Sequence, residues 1–336
     1  MSTSEPVTIL DPFERVRTLA KAIQQEVGAR IVGQDDAIAC LTGALIIGGH
    51  VLLEGAPGLG KTVLAKTLAD VVSLKFSRVQ FTPDLMPSDI LGTHMVSVDA
   101  AGRPSLSLQQ GPLFANVVLA DEINRASSKT QSALLEAMQE KQITLGGTTY
   151  PLDPPFFVVA TQNPLESEGT YPLPDAQLDR FLMKLVIPFP TQTEVMAIVA
   201  RTARQFDFAV NKVATAAQIL SAARTLRTLP VAEPMLQYAV SLVFATHPES
   251  PTASPKVKKY VRHGASPRAA QSLELVAKFF AILDGRLNVA VEDIQRAALP
   301  CLRHRIVRNF DAIADGVSAD EIIAQIVKSL PAATRA

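Results

Sequence analysis

The chain has 336 residues, which at roughly 150 residues per domain suggests two domains. Apolar residues make up 48% of it, far more than a disordered chain carries. With 32 basic and 32 acidic side chains there is no net charge to hold a polyanion. Aromatic residues at 5% with no tryptophan weaken any case for a base-stacking surface.

The charge balance hides a polarity. Residues 1–190 carry 14 basic and 20 acidic side chains, whereas residues 191–336 carry 18 and 12. Two parts of opposite sign are suited to pack against one another, within a chain or between copies. Only Cys40 and Cys301 occur, far apart and in apolar runs, so neither a disulfide framework nor a metal cluster is expected and a reducing compartment fits. The N-terminus lacks a basic segment and reaches Glu5 early, unlike a secretory signal. The apolar stretch Ile38–Ile47 is about half the ~20 residues that span a bilayer. A soluble, cytoplasmic protein is expected.

In chain order, Pro12–Val27 places Phe13, Val16, Leu19, Ala20, Ile23 and Val27 at helical spacing. Gln34–Ile47 reads as a second, mostly buried helix. His50–Glu54 is a short strand, and Thr62–Val72 returns to helical periodicity. Phe76–Phe81, Asn116–Ala120, Phe156–Thr161 and Leu182–Ile187 read as further strands. Two of these contain uninterrupted apolar runs, as in inner strands of a sheet covered on both faces. Strands alternating with helices make residues 1–190 an open α/β domain. Beyond Pro188 and Pro190 the strands stop. Thr193–Arg204, Ala214–Thr228, Glu233–His247, Pro267–Leu283 and Val291–Val307 read as helices, the last with a cap from Asn288 or the turn before it, and a final helix surrounds Ile322–Val327. Pro248–Gly264, with three prolines and Lys256, Lys258, Lys259 and Arg262, reads as a mobile loop.

Gly55-Ala56-Pro57-Gly58-Leu59-Gly60-Lys61-Thr62 has the full P-loop spacing, after a strand and before a helix. A short glycine turn lets successive backbone N–H groups surround a phosphate chain, and the following helix presents its positive end to the same charge. Lys61 is suited to the β- and γ-phosphates and the Thr62 hydroxyl to a magnesium ion. Val117–Ala120 then delivers Asp121 and Glu122 to the carboxyl edge of the sheet. Asp121 is the candidate metal-holding acid and Glu122 the candidate base for the attacking water. A third strand ends at Asn163. If it lies between the other two, Asn163 reaches the γ-phosphate or the lytic water.

These features, with the runs Val32-Gly33-Gln34, Gln80–Asp89, Ala120–Arg125, Lys129–Met138 and Glu168–Phe181, resemble the AAA+ ATPases and, more narrowly, the MoxR family. The likeness covers essentially the whole chain. It implies a five-stranded parallel sheet of order 5-1-4-3-2 in residues 1–190, behind an N-terminal helix, and a C-terminal all-helical lid in residues 191–336. It further implies a helix-2 insert at about 92–111 and a hairpin before the first sensor at about 141–155. By the same resemblance, Asn163 is the first sensor and Arg180 an arginine finger reaching the nucleotide of a neighbouring subunit. Arg268 is the second sensor. Val32 and Gly33 line the adenine pocket, and Val63 adjoins the phosphate-binding residues Gly55–Thr62. Arg125 is a candidate intersubunit contact.

Guanidinium groups suit the charge that develops in γ-phosphoryl transfer. One supplied in trans can be worth roughly 10³–10⁵ in rate. The implied activity is magnesium-dependent ATP hydrolysis by a hexameric ring that remodels or matures a partner complex, commonly one with a von Willebrand factor A domain protein. ATP preference rests on the resemblance alone. The alternative within the same fold is a nucleic-acid motor, for which the Lys256–Arg262 cluster is the one candidate patch and against which the zero net charge argues. A small-molecule kinase is a third class, separable by the appearance of a phosphorylated acceptor. The histidines at 50, 94, 247, 263 and 304 have no partners at metal spacing.

Overall fold

The structure, a computed structural model, describes residues 11–98, 104–163, 170–203 and 209–330. The N-terminal stretch with Glu5, the middle of the 92–111 segment, Glu168, Gly169 and Arg204 lie outside the described residues.

Helix α1 (Pro12–Arg30) starts with Pro12 at its first position, and the Asp11 carboxylate accepts the Phe13 N–H at 2.7 Å. It packs on α2 (Asp35–Ile47), which is buried at every position from Ile38 to Ile47. Then come β1 (Val51–Glu54), α3 (Lys61–Val71), β2 (Phe76–Gln80), α4 (Pro87–Leu91) and the antiparallel hairpin β3 (Gly92–Val98) with β4 (Pro104–Gln110). β5 (Val117–Asp121) and α5 (Ser128–Glu140) precede a second hairpin, β6 (Gln142–Leu145) with β7 (Thr148–Pro151). Its two-residue turn, Gly146-Gly147, has φ of 55° and 81°, as a twisted hairpin requires. β8 (Phe157–Gln162), α6 (Asp175–Leu178) and β9 (Met183–Val186) complete the sheet region.

The remainder is α7 (Gln192–Ala203), α8 (Ala216–Thr228), α9 (Glu233–Phe244), α10 (Pro255–Tyr260), β10 (Val261–His263), α11 (Pro267–Leu283), α12 (Val291–Leu302), β11 (Val307–Arg308), α13 (Phe310–Ala314) and α14 (Ala319–Ser329). Among the described residues this part is helical apart from the short ribbon of β10 and β11, two strands that the expectation of an all-helical lid lacked.

The five parallel strands lie in the order β2-β5-β8-β1-β9. Counted over all strands these labels differ from 5-1-4-3-2, because the two hairpins take up four of them. Counted over the five parallel strands alone, the order read from β9 is 5-1-4-3-2. Side chains alternate between two cores. Val51, Leu53, Val117, Leu119, Phe157, Val159, Met183 and Leu185 enter one, whereas Leu52, Val118, Ala120, Val158 and Ala160 enter the other. That alternation is the period-two geometry of strands covered on both faces. The first core also contains residues of α1 and α2 and Leu226, Leu242, Leu273, Phe279, Ile294 and Ile322 from the C-terminal helices. The lid and one sheet face therefore share a single apolar interior. At Gly43 on α2, an added Cβ would meet the Phe279 ring at 2.7 Å, so only glycine permits this approach of α2 to α11.

The segment expected as a helix-2 insert at about 92–111 contains the paired hairpin β3–β4, two strands that the sequence reading did not name. Two expectations are corrected. The Pro248–Gly264 segment is folded rather than loose: the Ser254 hydroxyl caps α10, and Val257 is fully buried. Finally, α12 ends at Leu302, and its N-terminal cap comes from Asp293, whose carboxylate accepts the Ala290 N–H at 2.8 Å, rather than from Asn288 or the turn before it.

Candidate active site

β1, β5 and β8 end together at the carboxyl edge of the sheet, where Gly55, Asp121 and Asn163 follow or close them. β8 lies between β5 and β1, which meets the condition set for Asn163. Asn163 is 4% exposed. In the P-loop, Gly58 and Gly60 take φ of 81° and 78°, a left-handed backbone that glycine adopts without strain. Gly60 is also the N-cap of α3, so the positive end of that helix opens into the loop. The Lys61 ammonium donates to the carbonyls of Gly55 and, at 3.2 Å, of Ala56. Burial pushes its pKa down, and Asp121, Glu122 and Glu54 pull it back up. Val63, in the first turn of α3, is 43% exposed.

Asp121 meets the P-loop helix directly. The Thr62 hydroxyl stands 3.4 Å from Asp121 Oδ2, across 59 residues of sequence. Asp121 Oδ1 accepts the Thr161 hydroxyl at 2.7 Å, and Thr161 Oγ1 in turn accepts the Glu122 N–H at 2.8 Å. Arg78, on β2, donates from Nε and Nη2 to Asp121 Oδ2 at 3.2 and 2.8 Å. Its Nη2 also reaches Gln80 Oε1 at 3.1 Å, and Gln80 Nε2 donates to Glu122 Oε2 at 2.8 Å. Glu122 itself sits at φ 56°, an uncommon conformation for a residue with a side chain, which turns it out of the strand. Arg125 pairs with Glu122 at 3.2 Å within the same chain. Arg78, Gln80 and Thr161 were not singled out from the sequence. The signal for them is positional: each lies in or at the end of a strand flanking the acids.

Among the described residues no group of three or more His, Cys, Asp or Glu side chains could hold a metal ion. The donor set at the P-loop is one hydroxyl and one carboxylate. Such a sparse oxygen set fits a magnesium ion, which keeps several waters and takes substrate phosphate oxygens rather than an all-protein cage.

The segment at Gly33 and Gln34 is held by the loop on one side and by α7 on the other. The Gln34 side-chain amide donates to the Leu59 carbonyl at 3.2 Å. A Cβ at Gly33, whose φ is 70°, would lie 2.0 Å from Glu194 Oε1 at the start of α7.

Arg180 and Arg268 lie elsewhere. Both line a cavity of about 290 Å³ with Gly48, Gly49 and His50, the residues that lead into β1. Lys61 follows the opposite end of β1, and four strand residues separate the two edges by roughly 13 Å. Asp179, beside Arg180, anchors the lid here: its Oδ2 accepts the Ser266 hydroxyl at 2.8 Å, its Oδ1 accepts Arg305 Nε at 2.8 Å, and Arg268 stands 3.8 Å away. The Lys256–Arg262 cluster is partly neutralised, since Lys256 pairs with Glu321 and Lys259 with Asp315.

Residues 50–183 match the profile of the ATPase family associated with various cellular activities (AAA), and residues 255–326 match an AAA lid domain. Chaperone MoxR1 of Mycobacterium tuberculosis is 43% identical over 324 residues, covering 94% of this chain and 82% of that one. Protein MoxR of Methylorubrum extorquens is 31% identical, covering 86% and 88%. The chain belongs to the MoxR family of AAA+ ATPases. A crystal structure of a candidate ATPase from Cytophaga hutchinsonii agrees with this MoxR-family fold, at a TM-score of 0.89 and 42% identity over 96% of this chain and 97% of that one. Lys61, Asp121, Glu122, Asn163 and Arg180 all fall within the AAA match, and Arg268 and Arg305 within the lid match.

Proposed function

We propose that this MoxR-family chain hydrolyses ATP at the P-loop and uses the turnover to remodel a partner protein complex. The observation that carries the reading is the 3.4 Å approach of Thr62 Oγ1 to Asp121 Oδ2, because it puts the acids of one strand beside the loop that follows another. The N–H groups of Gly58 to Thr62 bind phosphate oxygens, and Lys61 leaves the carbonyls of Gly55 and Ala56 to neutralise the β- and γ-phosphates. Val32, Gly33 and Val63 border the nucleotide. Thr62 and Asp121 would hold a magnesium ion, which when bound would supply positive charge to the phosphate oxygens. Glu122 accepts a proton from the attacking water, and Asn163 orients that water.

Arg180 and Arg268, sharing an edge of the sheet away from the chain's own P-loop, serve the nucleotide of an adjacent copy. The reading therefore includes a homo-oligomeric ring, of six copies by family resemblance. The division into an ATPase domain at 1–190 and a lid at 191–336 is supported by the last parallel strand ending at Val186. By resemblance, the 92–111 insert and the 141–155 hairpin face the ring pore or the partner. Chaperone-like work is supported by the name of the M. tuberculosis relative, and a partner with a von Willebrand factor A domain by resemblance. Among the described residues no helix is long and apolar enough to cross a membrane, and two buried free cysteines suit the cytoplasm.

Steady-state phosphate release tests this reading. Wild-type protein turns over Mg-ATP, and Glu122→Gln loses about 10²–10⁴ in rate while still binding nucleotide. Undiminished turnover in that variant removes Glu122 from the reaction.

A further inference from the structure

The cationic side chain at the candidate metal site that the mechanism above does not use is Arg78. It projects from β2, the strand paired in parallel with β5, where Arg78 stands opposite Leu119 and Gln80 opposite Asp121. Both of its contacts to Asp121, from Nε and Nη2, fall on the same carboxylate oxygen, Oδ2. That is the oxygen facing the Thr62 hydroxyl. The other oxygen, Oδ1, is already taken by Thr161. The guanidinium therefore covers the one acceptor of Asp121 turned toward the P-loop helix.

We propose that Arg78 is a cation that competes with magnesium for Asp121: it holds Oδ2 while no metal is bound, releases it when the metal arrives, and so sets the magnesium concentration at which the nucleotide site loads. This rests on the reading of Asp121 as a metal-holding acid.

Three features support exchange over a fixed structural pair. A carboxylate as enclosed as Asp121, whose side chain is 11% exposed, needs a compensating charge. Arg78 supplies that charge from a side chain that is 49% exposed, with room to swing into solvent. It is also tied to little else, Gln80 Oε1 at 3.1 Å being the other acceptor of its guanidinium. Finally, a guanidinium cannot lose its proton to make room for a second cation. Only movement relieves the repulsion when a divalent ion reaches the same oxygen.

The test is a magnesium titration of the full-length chain with a fluorescent ADP analogue, comparing wild type, Arg78→Gln, Arg78→Lys and Asp121→Asn. Arg78→Gln should lower the half-saturating magnesium concentration at least fivefold and leave binding in EDTA unchanged, with Arg78→Lys closer to wild type. Thermal unfolding is the second readout. Arg78→Gln should melt below wild type in EDTA and level with it in saturating magnesium and ADP. A midpoint unchanged by Arg78→Gln but shifted by Asp121→Asn overturns the competition and leaves the Asp121 reading standing. A midpoint unchanged in Asp121→Asn takes away the metal-holding role and the proposal with it. A melting deficit that persists in saturating magnesium and ADP also overturns the proposal, since it marks Arg78 as a fixed structural partner.

Discussion

Arg305 donates from Nε to Asp179 Oδ1 at 2.8 Å, joining the lid to the sheet region across 126 residues of sequence. The Arg305 side chain is 2% exposed and also donates to the carbonyls of Phe181 and Leu182 at 2.7 and 3.2 Å and to the Ser272 hydroxyl at 3.1 Å. Asp179 precedes Arg180, so lid position and the placement of Arg180 are fixed by the same few bonds. Asp179→Ala leaves a buried guanidinium without its counter-ion, and the expected loss is about 3–5 kcal/mol. Denaturant unfolding measures it. Arg268→Ala, at a half-exposed pair 3.8 Å from Asp179, should change stability by less than about 1 kcal/mol. Equal losses in the two variants would contradict this division between a buried anchor and an exposed partner.

Lys61→Ala should weaken nucleotide binding by roughly 10- to 100-fold, the value of a charge-assisted hydrogen bond of about 1.5–3 kcal/mol. Equilibrium binding of a fluorescent nucleotide reads this directly. Because Lys61 lies on the first turn of α3 and is tied only to loop carbonyls, the variant should remain folded. Retained affinity would remove Lys61 from the phosphate site.

Arg180→Ala should lower turnover by about 10³-fold or more with nucleotide binding intact. Mixing it with Glu122→Gln protein should restore part of the activity, since each variant supplies what the other lacks at a shared interface. No recovery at any ratio, in assemblies verified to be mixed, would place Arg180 in its own chain's site or outside the reaction.

Thr161→Val keeps the shape of a buried strand residue but removes the hydroxyl that donates to Asp121 and accepts from Glu122 N–H. The expected cost is about 1–3 kcal/mol of stability, together with reduced turnover as both acids lose their alignment. Unfolding and phosphate release measured on the same preparation check both parts.

His50 is buried with both ring nitrogens occupied: Nδ1 accepts the Val158 N–H at 3.0 Å and Nε2 donates to the Met138 carbonyl at 3.0 Å. Burial pushes its pKa down from 6.5 to about 4. The unfolded chain therefore binds the extra proton between those pH values, and stability is full above pH 6.5 and falls as pH drops toward 4. His304, buried and also pushed below its ordinary value, acts in the same direction. His50→Gln should reduce the slope of unfolding free energy against pH in that window by up to about 1.4 kcal/mol per unit. An unchanged slope would show that His50 is protonated in the native protein.

The P-loop, the acids at 121 and 122 and the five strands were legible because each rests on local pattern: glycine spacing, continuous apolar runs, and carboxylates at a strand end. Element limits mostly shifted by only a residue or a few, as for β5 at Val117–Asp121 against the reading of Asn116–Ala120. The strands of the 92–110 hairpin were not read although Leu106, Ser107 and Leu108 alternate, because short runs with few apolar residues give little periodic signal. The fold of Pro248–Gly264 was hidden by its prolines and lysines. Yet Ser254-Pro255 is a helix start that a closer reading of caps would have found. The contacts of Arg78 and Arg305 were beyond sequence reading altogether, since long-range pairing depends on strand order and lid docking. The shared placement of Arg180 and Arg268 follows from that same docking.

The central claim is that a nucleotide's phosphates sit over Gly58–Thr62 with Asp121 and Glu122 beside them. A crystal structure of Glu122→Gln grown with ATP and magnesium tests it most directly. The account predicts intact triphosphate on the P-loop N–H groups, an ion at the Thr62 hydroxyl with Asp121 next to it, and an arginine from a neighbouring copy facing the γ-phosphate. Nucleotide bound away from Lys61, or a P-loop that stays empty at saturating ATP and magnesium, would contradict it.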